Sequence, residues 1–343
     1  AHQVLTEKDP LVKLWNAAEA PETSYTMKIA SWNVAGLRAV LKKSPTALSD
    51  LVQEHDLDVL CLQETKLQEQ HVEDPKINTS IEGYQAYYSC STEKKGYSGT
   101  AVFVRDKSSS SKTKKKQATM DQFFGSSSQS KTKTTNNEKV SSAFDETLLI
   151  PQSVSYEIGA PQHDAEGRVV VVDFPTFSLC NVYVPNAGQG LKRLEYRVQE
   201  WDQDFLSFMQ TKKEDRGVPV LWLGDLNIAH TNLEVWNDGA KHLPKQAGVT
   251  PEERASFTAQ LEAGFVDVFR RLHPTAKGHY SYWSMRAGNR EPNKGLRLDY
   301  FICDEAAFDE NSKVVPRDSY MLSDQQGSDH CPVVLELELK ASD

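Results

Sequence analysis

Val218-Pro219-Val220-Leu221-Trp222-Leu223-Gly224-Asp225-Leu226-Asn227 starts as an almost uninterrupted apolar run and ends in a glycine, an acid and an amide. An apolar run without alternation reads as a strand covered on both faces. Five other segments share the form. Residues 27–32 lead into Asn33, 59–62 into Gln63-Glu64, and 179–184 into Pro185-Asn186; Asp299 follows Leu298 just inside another run, and Gly327-Ser328-Asp329-His330 precedes the last one. A single polar residue at a strand end is ordinarily a turn former or a helix cap. Six such endings, all acid, amide or imidazole, predict one place where side chains from several strands converge, as the ligand sites of α/β proteins do.

Working outward, strands are expected at 27–34, 58–64, 85–90, 100–104, 169–174, 177–184, 218–227, 297–303 and 333–339. Helical spacing appears between them: 45–55 after Ser44, 191–213 with Leu194, Val198, Trp201, Phe205 and Phe208 on one face, and 251–263, where Thr250 and Glu253 spell a capping box. Interleaving in both halves predicts an α/β fold, a four-layer α/β/β/α sandwich of two packed mixed β-sheets flanked by helices. Residues 1–26 read as an N-terminal extension. Residues 27–343 read as a single domain, interrupted at about 107–146 by a Lys/Ser-rich insertion.

The 343 residues are 38% hydrophobic and 25% charged, the balance of a globular chain with a large core. The longest purely aliphatic run is far too short to span a bilayer, so no membrane association is expected. The opening Ala1-His2-Gln3-Val4 lacks the charged-then-apolar pattern of a secretory signal. Five scattered cysteines exclude a disulfide scaffold and a four-cysteine zinc site and favour a reducing, intracellular compartment. The net charge of −9 is uneven: residues 107–145 carry eight lysines against three acids, which leaves the rest of the chain at −14. So acidic a body meets nucleic acid only through a local patch, or with a metal ion offsetting its carboxylates. The 107–145 stretch, with ten serines and five threonines, is too poor in apolar residues to order itself and is expected to be disordered.

Residue type limits the chemistry at the strand ends. Glu64 with Asn33 or Asp329 offers hard oxygen ligands suited to Mg²⁺ or Mn²⁺ and ill suited to zinc. Asp299 can fix the tautomer of His330 and raise its pKa, and Asp225 can orient or deprotonate a water. Tyr183, Asn186 and Asn227 are neutral donors able to hold phosphate oxygens. Neither a G-x-S-x-G elbow nor a G-x-x-x-x-G-K-[ST] loop is present, which argues against acyl transfer and nucleoside-triphosphate hydrolysis. Hydrolysis of a phosphate ester by a metal and an activated water remains.

The motifs Ser31-Trp32-Asn33-Val34-Ala35-Gly36-Leu37-Arg38, Leu62-Gln63-Glu64-Thr65-Lys66, Gly96-Tyr97-Ser98-Gly99, Glu166-Gly167-Arg168, Tyr183-Val184-Pro185-Asn186-Ala187-Gly188, Arg193-Leu194-Glu195-Tyr196-Arg197, Gly224-Asp225-Leu226-Asn227, Arg297-Leu298-Asp299-Tyr300 and Gly327-Ser328-Asp329-His330 occur in this order. Together they resemble the exonuclease III-type apurinic/apyrimidinic (AP) endonucleases of the endonuclease/exonuclease/phosphatase superfamily. The resemblance implies a Mg²⁺-dependent enzyme, with Mn²⁺ as substitute, acting on double-stranded DNA with abasic or 3′-blocked lesions. Cleavage 5′ to the base-free sugar would leave a 3′-hydroxyl and a 5′-deoxyribose phosphate, with 3′-phosphodiesterase activity alongside. Carried onto this chain, Glu64 holds the metal with Asn33 and Asp329 near it, and Asp225 aligns the water beside Asn227. His330, supported by Asp299, grips the scissile phosphate, and Tyr183 and Asn186 complete the clamp. DNA is held by Arg38, Lys43, Gly96, Tyr97 and Arg168, with Gln189 close by, mostly through phosphates. Tyr282, Leu296 and Leu298 wall an apolar pocket for the flipped-out sugar. A monomer is expected, in the nucleus or else in mitochondria.

Four departures bear on this. Ala35 replaces the acid or amide usual after Trp-Asn-Val, which weakens any second-metal scheme. Ala30 stands where animal enzymes have a redox-linked cysteine, so that activity is not carried over. Gln189 replaces a DNA-holding arginine and Leu296 a pocket tryptophan, changes that loosen product retention or widen tolerance for damaged 3′ ends. Within the insertion, Gln117, Met120, Phe123 and Phe124 follow a lysine run and resemble the sliding-clamp interaction box, in which one 3₁₀ turn groups the apolar side chains into a plug. Two other functions stand against the nuclease. One is a phosphatase or sphingomyelin-type phosphodiesterase of the same superfamily, against which the Tyr-Val-Pro-Asn-Ala-Gly and Gly-Tyr-Ser-Gly stretches argue. The other is a non-catalytic adaptor, which would require a lost catalytic position.

Overall fold

The computed structural model describes residues 3–107 and 144–341. In chain order its strands are β1 (Gln3–Val4), β2 (Ser24–Asn33), β3 (Val59–Gln63), β4 (Tyr84–Ser89), β5 (Thr100–Arg105), β6 (Ser153–Ser155), β7 (Val169–Asp173), β8 (Ser178–Tyr183), β9 (Val220–Asp225), β10 (Asn237–Asp238), β11 (Phe265–Asp267), β12 (Asp299–Asp304), β13 (Val314–Met321) and β14 (Val333–Lys340). One six-stranded sheet has the order β13-β14-β2-β3-β5-β4 and the other β11-β12-β9-β8-β7-β6. Each is antiparallel except for one central parallel pair, β2–β3 in the first and β8–β9 in the second. The α/β sandwich predicted from the apolar strands is the fold observed.

Strand alternation explains the layers. Ile29, Val59, Cys61, Val172, Leu221, Leu223 and Leu335 lie in the core shared by the two sheets. Their neighbours Ala30, Trp32, Leu60 and Leu62 face outward and are covered by Leu37–Lys43 and Ala47–Glu54. On the other side Val171, Cys180, Val182 and Trp222 pack under Phe205 and Met209 of Asp202–Arg216 and Phe257 of Pro251–Glu262. Inside such strands a polar side chain needs a buried partner, as Asn181 has in Gln63 and the carbonyls of Leu62 and Ala101, so most polar residues wait for the strand ends. The two parallel pairs end at the same pole, which is why the polar endings collect there.

Several elements differ from expectation. The single helix expected at 191–213 is broken: a π-helical turn, Tyr196–Trp201, precedes the α-helix Asp202–Arg216. Strand β13 escapes its sequence because Pro316 and Asp318 interrupt it; they sit at a register shift on an edge strand, where a missing N–H is tolerated. Just after the insertion, where the sequence also leads one to expect a strand beginning near Leu149, the chain makes a 3₁₀ turn, Glu146–Leu149. Strand β2 begins three residues early, with Ser24 paired to Lys340. Part of the stretch read as an N-terminal extension lies on the body: β1 pairs with β10, and Leu5 is buried in the inter-sheet core, its carbonyl accepting from the Tyr280 hydroxyl.

A buried ion cluster fixes the loop after β9 to the start of β12. Glu234 Oε1 accepts from Arg270 Nη2 at 2.6 Å and from Arg297 Nη2 at 2.8 Å, and Arg297 also reaches Asp267 at 2.6 Å. Burial alone would raise the pKa of Glu234, but Arg297 and Arg270 outweigh it and hold the carboxyl well below its usual range. A lowered folded pKa stabilises at every pH above the unfolded value and ceases to do so as the proton goes on. Glu234→Gln is therefore expected to cost about 3–5 kcal/mol at neutral pH, because it takes away the carboxylate paired with Arg270 and leaves Arg297 with Asp267 alone. The gap from wild type should narrow below about pH 4.5, read from urea midpoints across the acid range.

Candidate active site

The floor of the site is one amide between two sheets. Asn33, at the end of β2, donates through Nδ2 to Glu64 Oε1 at 3.0 Å and to Asp225 Oδ2, at the end of β9, at 2.8 Å. Its Oδ1 is taken by the backbone N–H of Ala35 at 2.9 Å. Asn33 thus steers the two carboxylates through its amide nitrogen, while its oxygen holds the loop that follows. Ala35, Glu64, Lys66 and Asn227 all have left-handed φ near 50°. For non-glycine residues such strain gathers where side chains must be aimed. Gly224 is required because a Cβ there would collide with the Val182 carbonyl of the parallel neighbour.

Glu64 has its Oε2 3.0 Å from Lys66 Nζ, and its side chain is about one-fifth exposed (22%). Burial would raise its pKa, but the Asn33 amide and Lys66 together pull it below the usual value. An ionised carboxylate at the cleft floor that already carries a cationic partner fits a hard divalent cation. Asp225, Asp299 and His330 also bring ligand atoms within 4.8 Å of one another. His330 stands between the two carboxylates. His330 Nδ1 lies 2.7 Å from Asp299 Oδ2, and His330 Nε2 lies 3.8 Å from Asp225 Oδ2. A carboxylate only accepts, so Nδ1 carries the proton and Nε2 faces Asp225. The imidazole pKa, opposed by burial, is pushed up to about 10 by Asp299 and Asp225. Burial raises that of Asp225 to about 7, against the pull of His330.

Asn227 donates its N–H to Asp225 Oδ1 at 2.9 Å, and its Oδ1 accepts from Asn186 Nδ2 at 2.7 Å. Tyr183, at the end of β8, keeps its proton: burial and the carboxylates of Glu64 and Asp225 push its pKa well above the ordinary value. Tyr282 lies with its ring centroid 5.0 Å from that of His330 and bridges to Leu296, and Leu296 and Leu298 share one small apolar cluster with Val235 and Val249. Asp329 acts on both His330 and Tyr282 through its charge. The structure therefore brings together Asn33, Glu64, Tyr183, Asn186, Asp225, Asn227, Tyr282, Asp299, Asp329 and His330.

The outer residues divide. Arg38 is exposed beside His71, and Lys43 and Gln189 are exposed. Arg168 is not at the surface: it is 2% exposed, with its donors committed to Glu166, the Tyr183 carbonyl and the Tyr97 hydroxyl. Arg193 also donates to Tyr97, at 2.7 Å. That hydroxyl accepts from two guanidiniums, and Arg168 lies beneath it, below the surface where a phosphate contact was expected. Gly96, with φ 66°, has open space around it. Gln117, Met120, Phe123 and Phe124 lie outside the described residues.

Sequence reasoning quoted Arg197 without a role. The π turn aims its guanidinium under the site, where it donates to the carbonyls of Pro185 (3.0 Å), Leu226 (2.7 Å) and Asn227 (3.1 Å), with Asp202 as counter-ion. A charged residue on the apolar face of an expected helix was the available signal. Ser281 and Ser328 were missed as well: Ser281 Oγ accepts from the N–H of Asp299, and Ser328 Oγ ties the last loop to the Asn33 carbonyl.

The sequence profile of the Endonuclease/Exonuclease/phosphatase family matches residues 30–330. A protein from Bacillus subtilis (strain 168) named exodeoxyribonuclease is 37% identical over 313 residues, covering 91% of this chain and 100% of its own. A Dictyostelium discoideum protein named DNA-(apurinic or apyrimidinic site) endonuclease is 36% identical over 314 residues, covering 91% and 71%. The crystal structure of an AP endonuclease from Leishmania major superposes with a TM-score of 0.76 at 28% identity, covering 99% of this chain and 95% of that one.

Proposed function

The chain belongs to the endonuclease/exonuclease/phosphatase family, and from that premise we propose that it is a DNA repair nuclease hydrolysing the phosphodiester 5′ to an abasic site with Mg²⁺. The observation that carries this is the Glu64–Asn33–Asp225–His330–Asp299 chain of contacts across two sheets, next to the apolar cluster of Tyr282, Leu296 and Leu298. Asp225 takes the proton of the attacking water, and Asn227 and Asn186 orient it and the phosphate. His330, cationic between two carboxylates, and Tyr183, a neutral donor, hold the phosphate oxygens as charge builds. Glu64 with Asp329 would hold the cation, whose charge offsets that of the phosphate and leaving oxygen. The products are a 3′-hydroxyl and a 5′-deoxyribose phosphate. Leu296 and Gln189 favour added tolerance for blocked 3′ ends.

The test is a Mg²⁺-dependent assay on duplexes carrying an abasic site or a 3′ block, run beside inositol phosphates. Turnover of the latter alone would point to the phosphatase branch. Glu64→Gln should raise the Mg²⁺ concentration for half-maximal rate at least about tenfold, measured by titration at saturating DNA; an unmoved midpoint removes Glu64 from the metal's ligands.

The proposal extends to the insertion as a tether to a sliding clamp. Its two ends leave the body together: Lys107 Nζ lies 5.1 Å from the Tyr25 ring centroid and Phe144 stacks on that ring at 5.4 Å. This is beyond the Arg105 end of β5, opposite the end that pairs with Gln63 beside the site. A partner tethered from that end raises the local enzyme concentration on DNA. Phe123→Ala with Phe124→Ala should reduce clamp binding at least about tenfold, measured by calorimetry, with DNA cleavage unaltered; equal affinity refutes the tether. The compartment that fits is the nucleus.

A further inference from the structure

The connection between β13 and β14, residues 322–332, delivers Asp329 and His330 to the site, and its outer half is exposed. One side chain from another loop gathers it. Arg290 donates through Nη1 to the Ser328 carbonyl at 3.0 Å, and through Nη2 to the carbonyls of Ser323 at 3.0 Å and Gln325 at 2.5 Å. Its guanidinium carbon lies 4.8 Å from the ring centroid of Trp283. Trp283 is buried, and its backbone N–H donates to the Asp329 carbonyl at 2.9 Å. Trp283 directly follows Tyr282, whose ring meets that of His330. Arg290 and Trp283 also line a cavity of about 550 Å³, together with Lys8, Tyr280, Asn293 and Ser323.

On the premise that His330 and Asp329 serve the nuclease reaction proposed for this chain, we infer that Arg290 is a positioning residue for that reaction. A planar fork satisfies three carbonyls of one loop at fixed relative distances, which a point charge cannot do. It stands on the indole whose own backbone holds Asp329. Arg290 thereby sets the loop bearing the phosphate-gripping histidine against the wall of the sugar pocket. Its Nη1 and Nη2 atoms are spent on the carbonyls of that loop. Shifting that loop by about 1 Å is enough to cost two orders of magnitude in rate.

The experiment measures steady-state cleavage of an abasic-site duplex in Mg²⁺, in guanidinium chloride and in potassium chloride at equal ionic strength. Arg290→Ala should lower kcat about 10- to 100-fold with KM within about threefold. Guanidinium should restore several-fold of that loss through the adjoining cavity and leave the wild-type chain unaffected. Arg290→Lys should fall between the two. An undiminished kcat in Arg290→Ala, or a loss that guanidinium does not relieve in a variant with a wild-type thermal midpoint, overturns the inference. Should Arg290→Ala not fold, Arg290→Lys decides: a reduced kcat at wild-type KM supports the role, and a wild-type kcat overturns it. An inactive wild-type chain sinks the nuclease proposal and this inference with it, whereas an active one indifferent to Arg290 sinks the inference alone.

Discussion

Asp225→Asn is expected to lower kcat at least about 1,000-fold, or about 4 kcal/mol of transition-state stabilisation, with KM within about threefold. The side chain is 1% exposed, oriented by Asn33 on one oxygen and the Asn227 N–H on the other, so an isosteric amide keeps the shape and loses the proton acceptor. The pH profile supplies the sign. Burial raises the Asp225 pKa to about 7, against the opposing charge of His330. Only the ionised form accepts a proton, so the rate should climb as pH rises through about 7 and level off above it. In Asp225→Asn the residual rate should lack that limb. Single-turnover cleavage from pH 5.5 to 8.5 reads both quantities. A variant within tenfold of wild type, or one that keeps the acid limb, removes Asp225 from the base's role.

The pole of the fold at which chemistry is proposed was legible because the strands themselves are so apolar. Trp222 and Leu223 are buried on opposite faces of β9, so the chain can afford a carboxylate only where β9 ends, and Asp225 marks that end. The same logic finds Asn33, Glu64 and Tyr183. It fails for residues whose contribution is made through backbone carbonyls. Arg197 and Arg290 hold loops by their carbonyls, and nothing in the loop sequences records which guanidinium they meet. Arg168 shows the converse: the family resemblance implies a phosphate contact, yet the fold buries it between Tyr97, Tyr183 and Glu166. The broken helix is a third kind of miss. Leu194, Val198 and Trp201 satisfy helical spacing, and the extra residue per turn at Tyr196–Trp201 becomes visible only when Arg197 is seen reaching inward.

Asp225 and His330 also explain why the site must be stiff. Asp225 and Asp299 stand in register on neighbouring strands, and Glu64 is close enough for its charge to raise Asp225. Three carboxylates facing one another repel, and Lys66, the His330 imidazolium, the Asn33 amide and the Asn227 N–H offset that repulsion. Left to relax, the carboxylates would separate. Arg197, Ser281 and Ser328 work from behind, through backbone groups, and so restrain the loops without adding donors that would compete for a phosphate.

The His330–Asp299 pair should behave as one unit. His330→Asn is expected to cost about 100- to 10,000-fold in kcat, and Asp299→Asn a comparable factor, because an amide there can donate and so stabilise the wrong imidazole tautomer. If the two act together, the double variant loses little more than the worse single one, and the cycle shows a large coupling energy. The alkaline limb separates this from general damage. With Asp299 and Asp225 outweighing burial, the His330 pKa is raised to about 10, so the imidazolium persists through neutral pH and is lost only as pH climbs toward that value. Removing the Asp299 charge takes away the larger of those two supports. In Asp299→Asn the rate should therefore begin to fall at a lower pH than in the wild-type chain, while the acid limb assigned to Asp225 moves little. Additive losses in the double variant, or an alkaline limb that stays in place when Asp299 is neutral, would mean that the charge of His330 does not depend on Asp299.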